Sequence, residues 1–229
     1  MPDPLPGILR EGEEFEMSQR QSISRRAFAA SAFAALTLAA VRGVAQTPPA
    51  ETPESPLGPF YPVGYAGEDD SDLTLLKGSR TRATGEVIEV TGRVLDRRGK
   101  PVSGARIEIW QANAFGRYAH ENEVSTEPLD PNFQGVARLL TGPSGKWRIR
   151  TIKPRFYDSP IGLRTPHIHF DVQGRAQRLV AQMYFPEEQE RNAADLLYQG
   201  LGADAPASVA RLEAPSRYHW DIVLMDTVG

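Results

Sequence analysis

The sequence predicts an all-β protein: an antiparallel β-sandwich of two packed sheets, with one short helical insertion before the last strand. Three observations carry that expectation. From Gly85 onward the residues follow a period of two, Gly- and Pro-rich clusters cut that pattern into short runs, and one stretch alone has helical punctuation. The first run alternates Ile88, Val90, Gly92 and Val94 with Val87, Glu89, Thr91 and Arg93. Asp96-Arg97-Arg98-Gly99-Lys100-Pro101 reads as a turn, and 105–111 (ARIEIWQ) as the returning strand. Further strands are predicted over 136–140, 146–152, 167–172, 179–185 and 218–225, with Gly142-Pro143-Ser144-Gly145 typical of the separators. Seven short strands with frequent turns are the signature of a sandwich. Residues 186–200 read as helix: a proline first, acids in the first turn, Leu196 and Leu197 later, Gly200 last. A further helical turn is expected over 207–212.

Composition bounds the function. With 40% apolar and 24% charged residues over 229 positions, the chain is neither a disordered tail nor a polytopic membrane protein. A formal charge of -3 and a pI of about 5.9 give no footprint for nucleic acid. There is no cysteine, which excludes disulfide scaffolds, thiolate metal sites and cysteine nucleophiles; any metal must be held by nitrogen and oxygen. Residues 1–45 read as an address. Arg25-Arg26 precedes an Ala-rich apolar run of about fifteen residues, 27–41, which falls short of the roughly 20 that span a bilayer. Gly43-Val44-Ala45 then offers small residues for cleavage before Gln46. The pattern resembles a twin-arginine translocation signal, with Met17 as an alternative start. The expected product is periplasmic or secreted and keeps no membrane anchor. Residues 46–84, rich in Pro, Gly and polar residues, are expected to form an extended arm over a domain at 85–229.

The sharpest chemical signal is Arg164-Thr165-Pro166-His167-Ile168-His169-Phe170. In a strand, His167 and His169 project to one face while Ile168 and Phe170 face the other, the geometry of two imidazoles on one metal. Two histidines on a solvated sheet face would give the same pattern. Tyr118 and Tyr157 each follow a predicted strand end, where loops present functional groups. Nothing in the spacing joins those tyrosines to the histidines. Trp110, Trp147 and Trp220 sit inside strand patterns as core residues, and His120 and His219 read as packed or exposed residues.

The segments IEIWQANAFGRYAH, PLDPNFQGVARLLTGPSGKWRIRTIKP, RTPHIHF, LVAQMYF and YHWDIVLMD together resemble the intradiol ring-cleavage dioxygenases, the protocatechuate 3,4-dioxygenases among them most. The resemblance implies Fe(III) held by Tyr118, Tyr157, His167 and His169. It implies a catechol-type substrate cut by O2 between its two hydroxyl-bearing carbons, giving a cis,cis-muconate-type product. Tyr157 would be the ligand displaced by substrate. Arg164 matches the family's active-site arginine, Gln182 its glutamine, and Gly58 to Pro62 (GPFYP) the segment bordering the pocket, which makes Pro59 a candidate substrate contact. A homo-oligomer is compatible with the resemblance. Three departures leave the particular catechol open: Asp158 follows Tyr157 where the family has proline, the loop from Tyr157 to His167 is short and lacks a tryptophan, and residues 46–84 leave no room for a helical dimerisation domain. Two other classes remain at this stage. One is an exported, non-catalytic β-sandwich binding or adhesion module; the other is a zinc hydrolase built on His167 and His169.

Overall fold

In the computed structural model, which describes residues 48–225, one sheet is organised around β1 (Val87–Asp96). The signal region at 1–45, with its cleavage site and the alternative start, lies outside the described residues, as do the first two residues of the arm. The alternation in β1 holds: Ile88, Val90 and Val94 are buried, while Val87, Glu89, Thr91 and Arg93 are half-buried on the other face. One edge of β1 pairs antiparallel with β4 (Lys146–Ile152). The other edge takes β10 (Arg217–His219) and then β11 (Ile222–Leu224), both parallel, with β9 (Arg211–Ala214) beyond β10.

The run expected as one strand over 218–225 is therefore two, broken at Trp220-Asp221. The Trp220 amide donates to the Thr91 carbonyl at 2.8 Å, and the Trp220 carbonyl presses on Gly92, where a Cβ would stand 1.8 Å from that oxygen. The Asp221 carboxylate accepts from the Arg93 amide at 2.9 Å. Only a residue without a side chain permits this approach.

The second sheet runs β3-β2-β7-β8, all antiparallel, from β2 (Arg106–Trp110), β3 (Val136–Leu140), β7 (His167–Gln173) and β8 (Arg178–Tyr184). Ile88, Val90, Ile149 and Trp147 of one sheet meet Ile107, Ile109, Ile168, Phe170 and Met183 of the other across the core, each large apolar side chain contributing about 1.5–3 kcal/mol by burial. A hairpin of β5 (Tyr157–Ser159) and β6 (Gly162–Arg164) was not expected, so Tyr157 opens a short strand rather than lying in a loop.

The single helix expected over 186–200 is two, α1 (Gln189–Ala194) and α2 (Leu196–Gly200). Asp195 separates them with extended backbone (φ -78, ψ 120), and its carboxylate accepts from the Leu197 and Tyr198 amides as the cap of α2. The helical turn expected over 207–212 comes earlier, as a 3-10 helix at Gly202–Ser208, and three short strands follow the insertion rather than one. Residues 48–84 cross the strands: Ser55 donates its amide to Val180 of β8 at 2.8 Å, the Val223 amide of β11 donates to the Thr52 hydroxyl at 2.9 Å, and Leu73 is fully buried beside β4. No helix among the described residues is long and apolar enough to cross a membrane.

Candidate metal centre

Strand β7 is buried on both faces, and the faces differ in chemistry. Ile168, Phe170 and Val172 enter the core, while His167 and His169 turn to the opposite side. On that side His169 lies between Trp110 of β2 and Gln182 of β8, and His167 is paired with Tyr184. The loop after β2 brings Tyr118 over them, and the β5–β6 hairpin brings Tyr157. The Tyr118 hydroxyl stands 3.5 Å from Nε2 of His167, which is 3.2 Å from Nε2 of His169. The Tyr118 and Tyr157 hydroxyls interact directly, with their rings edge-to-face at 5.5 Å. Gly116 (φ 80) lets the two tyrosine-bearing segments meet backbone to backbone, since a Cβ there would lie 2.6 Å from the Phe156 carbonyl.

Packing fixes the donors in place. The Thr165 carbonyl, which can only accept, lies 2.6 Å from Nδ1 of His167, so that nitrogen carries the proton and Nε2 keeps a bare lone pair. The Trp110 indole stacks on His169 with centroids 4.7 Å apart and planes 10° from parallel. Phe60, from the GPFYP segment, stacks on Tyr118 at 4.4 Å.

Burial, with the Arg164 charge adding to it, drives the His167 imidazole down to about 3, and burial also holds His169 well below the ordinary histidine value. Both rings are therefore neutral at pH 7, the form that ligates metals. Burial pushes the Tyr118 and Tyr157 phenols upward, so a phenolate here needs a positive charge beside it. A metal fits that demand. Donors about 2.1 Å from one ion stand roughly 3.0–3.4 Å from each other, close to the 3.2 and 3.5 Å separations found. Two neutral nitrogens and two phenol oxygens suit a hard cation. A zinc site on His167 and His169 would call for a third histidine or a carboxylate, and no such group of three gathers among the described residues.

Beside this cluster the side chains of Arg164 and Gln182 are locked together. Arg164 donates through Nε to Asp195 at 2.9 Å and through Nη2 to Oε1 of Gln182 at 2.6 Å. The same Gln182 oxygen accepts from the Tyr184 hydroxyl at 2.9 Å, which fixes the amide orientation. Nε2 of Gln182 is then buried without a protein partner, a donor left for a ligand. Asp195 also accepts from the Thr165 amide at 2.9 Å, so one carboxylate holds both Arg164 and the residue whose carbonyl orients His167. A cavity of about 750 Å³ opens onto this group, with Pro59, Phe60, Tyr157, Arg164, His169 and Gln182 in its wall.

The structure thus brings Tyr118, Tyr157, His167, His169, Arg164, Gln182 and Pro59 to one place. His120 and His219 stay outside: the first bonds the Tyr61 carbonyl, the second the Asp221 carboxylate. Trp110 is buried in the core as expected, in a second apolar cluster beneath the site with Tyr118 and Val136. Its signal was available, because period two places Trp110 with Arg106 and Glu108, opposite Ile107 and Ile109. Asp195 and Thr165 had no such signal; their partnership is made only by the fold.

A family model described as Dioxygenase matches residues 57–226. The protocatechuate 3,4-dioxygenase beta chain of Burkholderia cepacia is 45% identical over 147 residues, 62% of this chain and 62% of that one. The hydroxyquinol 1,2-dioxygenase of Rhizobium sp. (strain MTP-10005) is 31% identical over 147 residues, 58% of this chain and 47% of that one. Among solved structures, the dioxygenase domain of a dioxygenase carbohydrate-binding protein fusion from Streptomyces sp. SirexAA-E aligns with a TM-score of 0.57 at 29% identity, covering 76% of this chain and 97% of that one. The alignments thus span about half to three fifths of the length of the two curated relatives.

Proposed function

This chain belongs to the intradiol ring-cleavage dioxygenase family, and from that premise we propose that it is a non-haem Fe(III) enzyme. In this reading it uses O2 to open a catechol-type ring between its two hydroxyl-bearing carbons, giving a cis,cis-muconate-type product. The observation that carries the reading is the convergence of two imidazole nitrogens and two phenol oxygens on one buried point. His167 and His169 would hold the iron as neutral ligands, and Tyr118 and Tyr157 as phenolates. Bound there, Fe(III) would supply a Lewis acid that draws electron density from a catecholate and so lets the ring react with O2.

The chain's own residues do the rest. Tyr157 lies in the cavity wall, whereas Tyr118 is fixed behind it under Phe60, so Tyr157 is the phenol oxygen placed to accept a catechol proton. Arg164, held by Asp195 and Gln182, stabilises negative charge on the substrate's ring and oxygens. Nε2 of Gln182 donates to a substrate oxygen. Pro59 and Phe60 close the cavity and exclude water from the ring. We further propose that the folded enzyme is exported through the twin-arginine route, on the strength of Arg25-Arg26, the short apolar run and Ala45.

The test is iron content, visible spectrum and oxygen uptake on purified protein. The expected protein is wine-red, with about one iron per chain and a broad tyrosinate-to-iron band. Tyr157→Phe should alter the band and slow turnover, and His167→Ala should lose the metal. A colourless, zinc-loaded protein from iron-replete cells overturns the reading, and a metal-free one favours the binding module.

A further inference from the structure

We infer that the substrate is a neutral catechol carrying a bulky apolar substituent, not one carrying a carboxylate; the inference rests on the ring-cleavage reading above. Size is the first argument. A bare catechol has eight heavy atoms, and at about 30 Å³ each, the share of one water molecule in the liquid, it fills at most roughly 240 Å³. The cavity holds about 750 Å³. With the ring at Tyr157, Arg164, His169 and Gln182, most of that space lies beyond it.

The chemistry of the remaining wall is the second argument. Phe115, Val124, Phe156, Pro160, Ile161 and Leu197 line it. Val124 is 92% exposed and Ile161 47%, so both stand at the open side with apolar surface that nothing in the described protein covers. An apolar substituent reaching outward from the ring would cover it.

Charge is the third. Of the two guanidinium groups in the wall, Arg164 is already committed to the fully buried Asp195, and Arg155 lies over the Phe156 ring at 5.0 Å. Glu123, Glu127 and Asp158 line the same cavity. A carboxylate on the substrate would meet more anions than free cations, and a neutral substituent avoids that repulsion.

The test compares 4-butylcatechol, catechol and protocatechuate on the iron-loaded full-length enzyme. Oxygen uptake gives kcat/KM, and anaerobic titration followed by the visible band gives Kd. Each buried methylene is worth about fourfold, so a half-buried butyl chain should raise kcat/KM at least tenfold over catechol and lower Kd to match. Protocatechuate should fall below catechol. Val124→Ser and Ile161→Ser should each shrink the butylcatechol-to-catechol ratio, and Asp158→Lys should improve protocatechuate relative to catechol. Protocatechuate equal to or better than butylcatechol in both kcat/KM and Kd overturns this inference and leaves the dioxygenase reading intact. Iron-loaded protein that turns over none of the three overturns the dioxygenase reading, and this inference with it.

Discussion

Arg164 is held between two side chains, Asp195 and Gln182, by interactions its position in the sequence does not disclose. Its side chain is 6% exposed, its Asp195 partner is fully buried, and the Gln182 amide accepts from its other branch. A preorganised guanidinium of this kind is worth most where charge develops during reaction, so its loss should fall on turnover more than on catechol binding. Removing one such donor typically costs about 10²–10³ in rate, roughly 2.7–4 kcal/mol. Arg164→Ala also strands a buried carboxylate, and breaking a buried pair costs about 3–5 kcal/mol of stability. The cleaner comparison is Arg164→Lys, which keeps the charge but loses the planar fork that serves Asp195 and Gln182 together. We expect Arg164→Lys to retain iron and colour, and to recover only part of the turnover that alanine loses. Steady-state oxygen uptake with iron content checks this. Full iron and near-normal turnover in Arg164→Ala would make the arginine structural.

At the scale of elements, the helical insertion between β8 and β9 acts as a brace for the site. Asp195 caps α2 with one oxygen and anchors Arg164 and Thr165 with the other, while Asn192 of α1 accepts from the Thr165 hydroxyl at 2.8 Å. Thr165 in turn orients His167 through its carbonyl. Asp195→Asn preserves a competent cap, but its amide NH2 would face the Arg164 and Thr165 donors. The expected result is a loss of about 3–5 kcal/mol in a denaturant titration, with kcat reduced more than KM. Unchanged kcat at full iron occupancy would show that the brace supports the fold without positioning the arginine. The hairpin β5–β6 has a parallel function, carrying Tyr157 at one end and Arg164, its cross-strand partner, at the other. One short element thus sets the spacing between a proposed iron ligand and the proposed charge stabiliser.

For the whole molecule, two predictions concern stability and destination. Burial alone would raise the Asp72 carboxyl, but the Thr74 hydroxyl and amide, with Arg82 and Arg150 nearby, override it and leave the pKa below its ordinary value. Glu187 is likewise depressed: burial is outweighed by hydrogen bonds from Lys153 and Tyr218. A carboxyl lowered in the folded state contributes stability that is fully present above its unfolded pKa, about 4, and is lost as pH falls through the folded value. Tm should therefore decline below about pH 4. Asp72→Asn should flatten part of that decline, and an unchanged slope would remove Asp72 from the explanation. Export is tested at the other end of the chain. Mature protein should begin at Gln46, and Arg25→Lys with Arg26→Lys should leave precursor in the cytoplasm; undisturbed export of the double variant counts against the twin-arginine route.

The strand pattern was legible because alternation is a local property: β3 and β4 fall where the sequence places them, and the same rule turns His167 and His169 to one face. Local rules failed where distant backbone intervened. The run over 218–225 reads as one strand, yet Trp220 closes on Gly92 more than a hundred residues away and splits it. The run over 186–200 reads as one helix, yet Asp195 leaves helical geometry and anchors Arg164 and Thr165, about thirty residues back. The site divides along the same line. Period two could pair the histidines, but spacing could not bring Tyr118 or Tyr157 to them, and only resemblance suggested it. What unites the four is the approach of two loops at Gly116, the hairpin, and an arm that lays Phe60 on Tyr118. Sequence alone determined which face of each strand is apolar, since that depends on neighbours two residues apart. Tertiary structure alone decided which polar groups meet in the dark between loops, since burial and long-range closure depend on the whole chain at once.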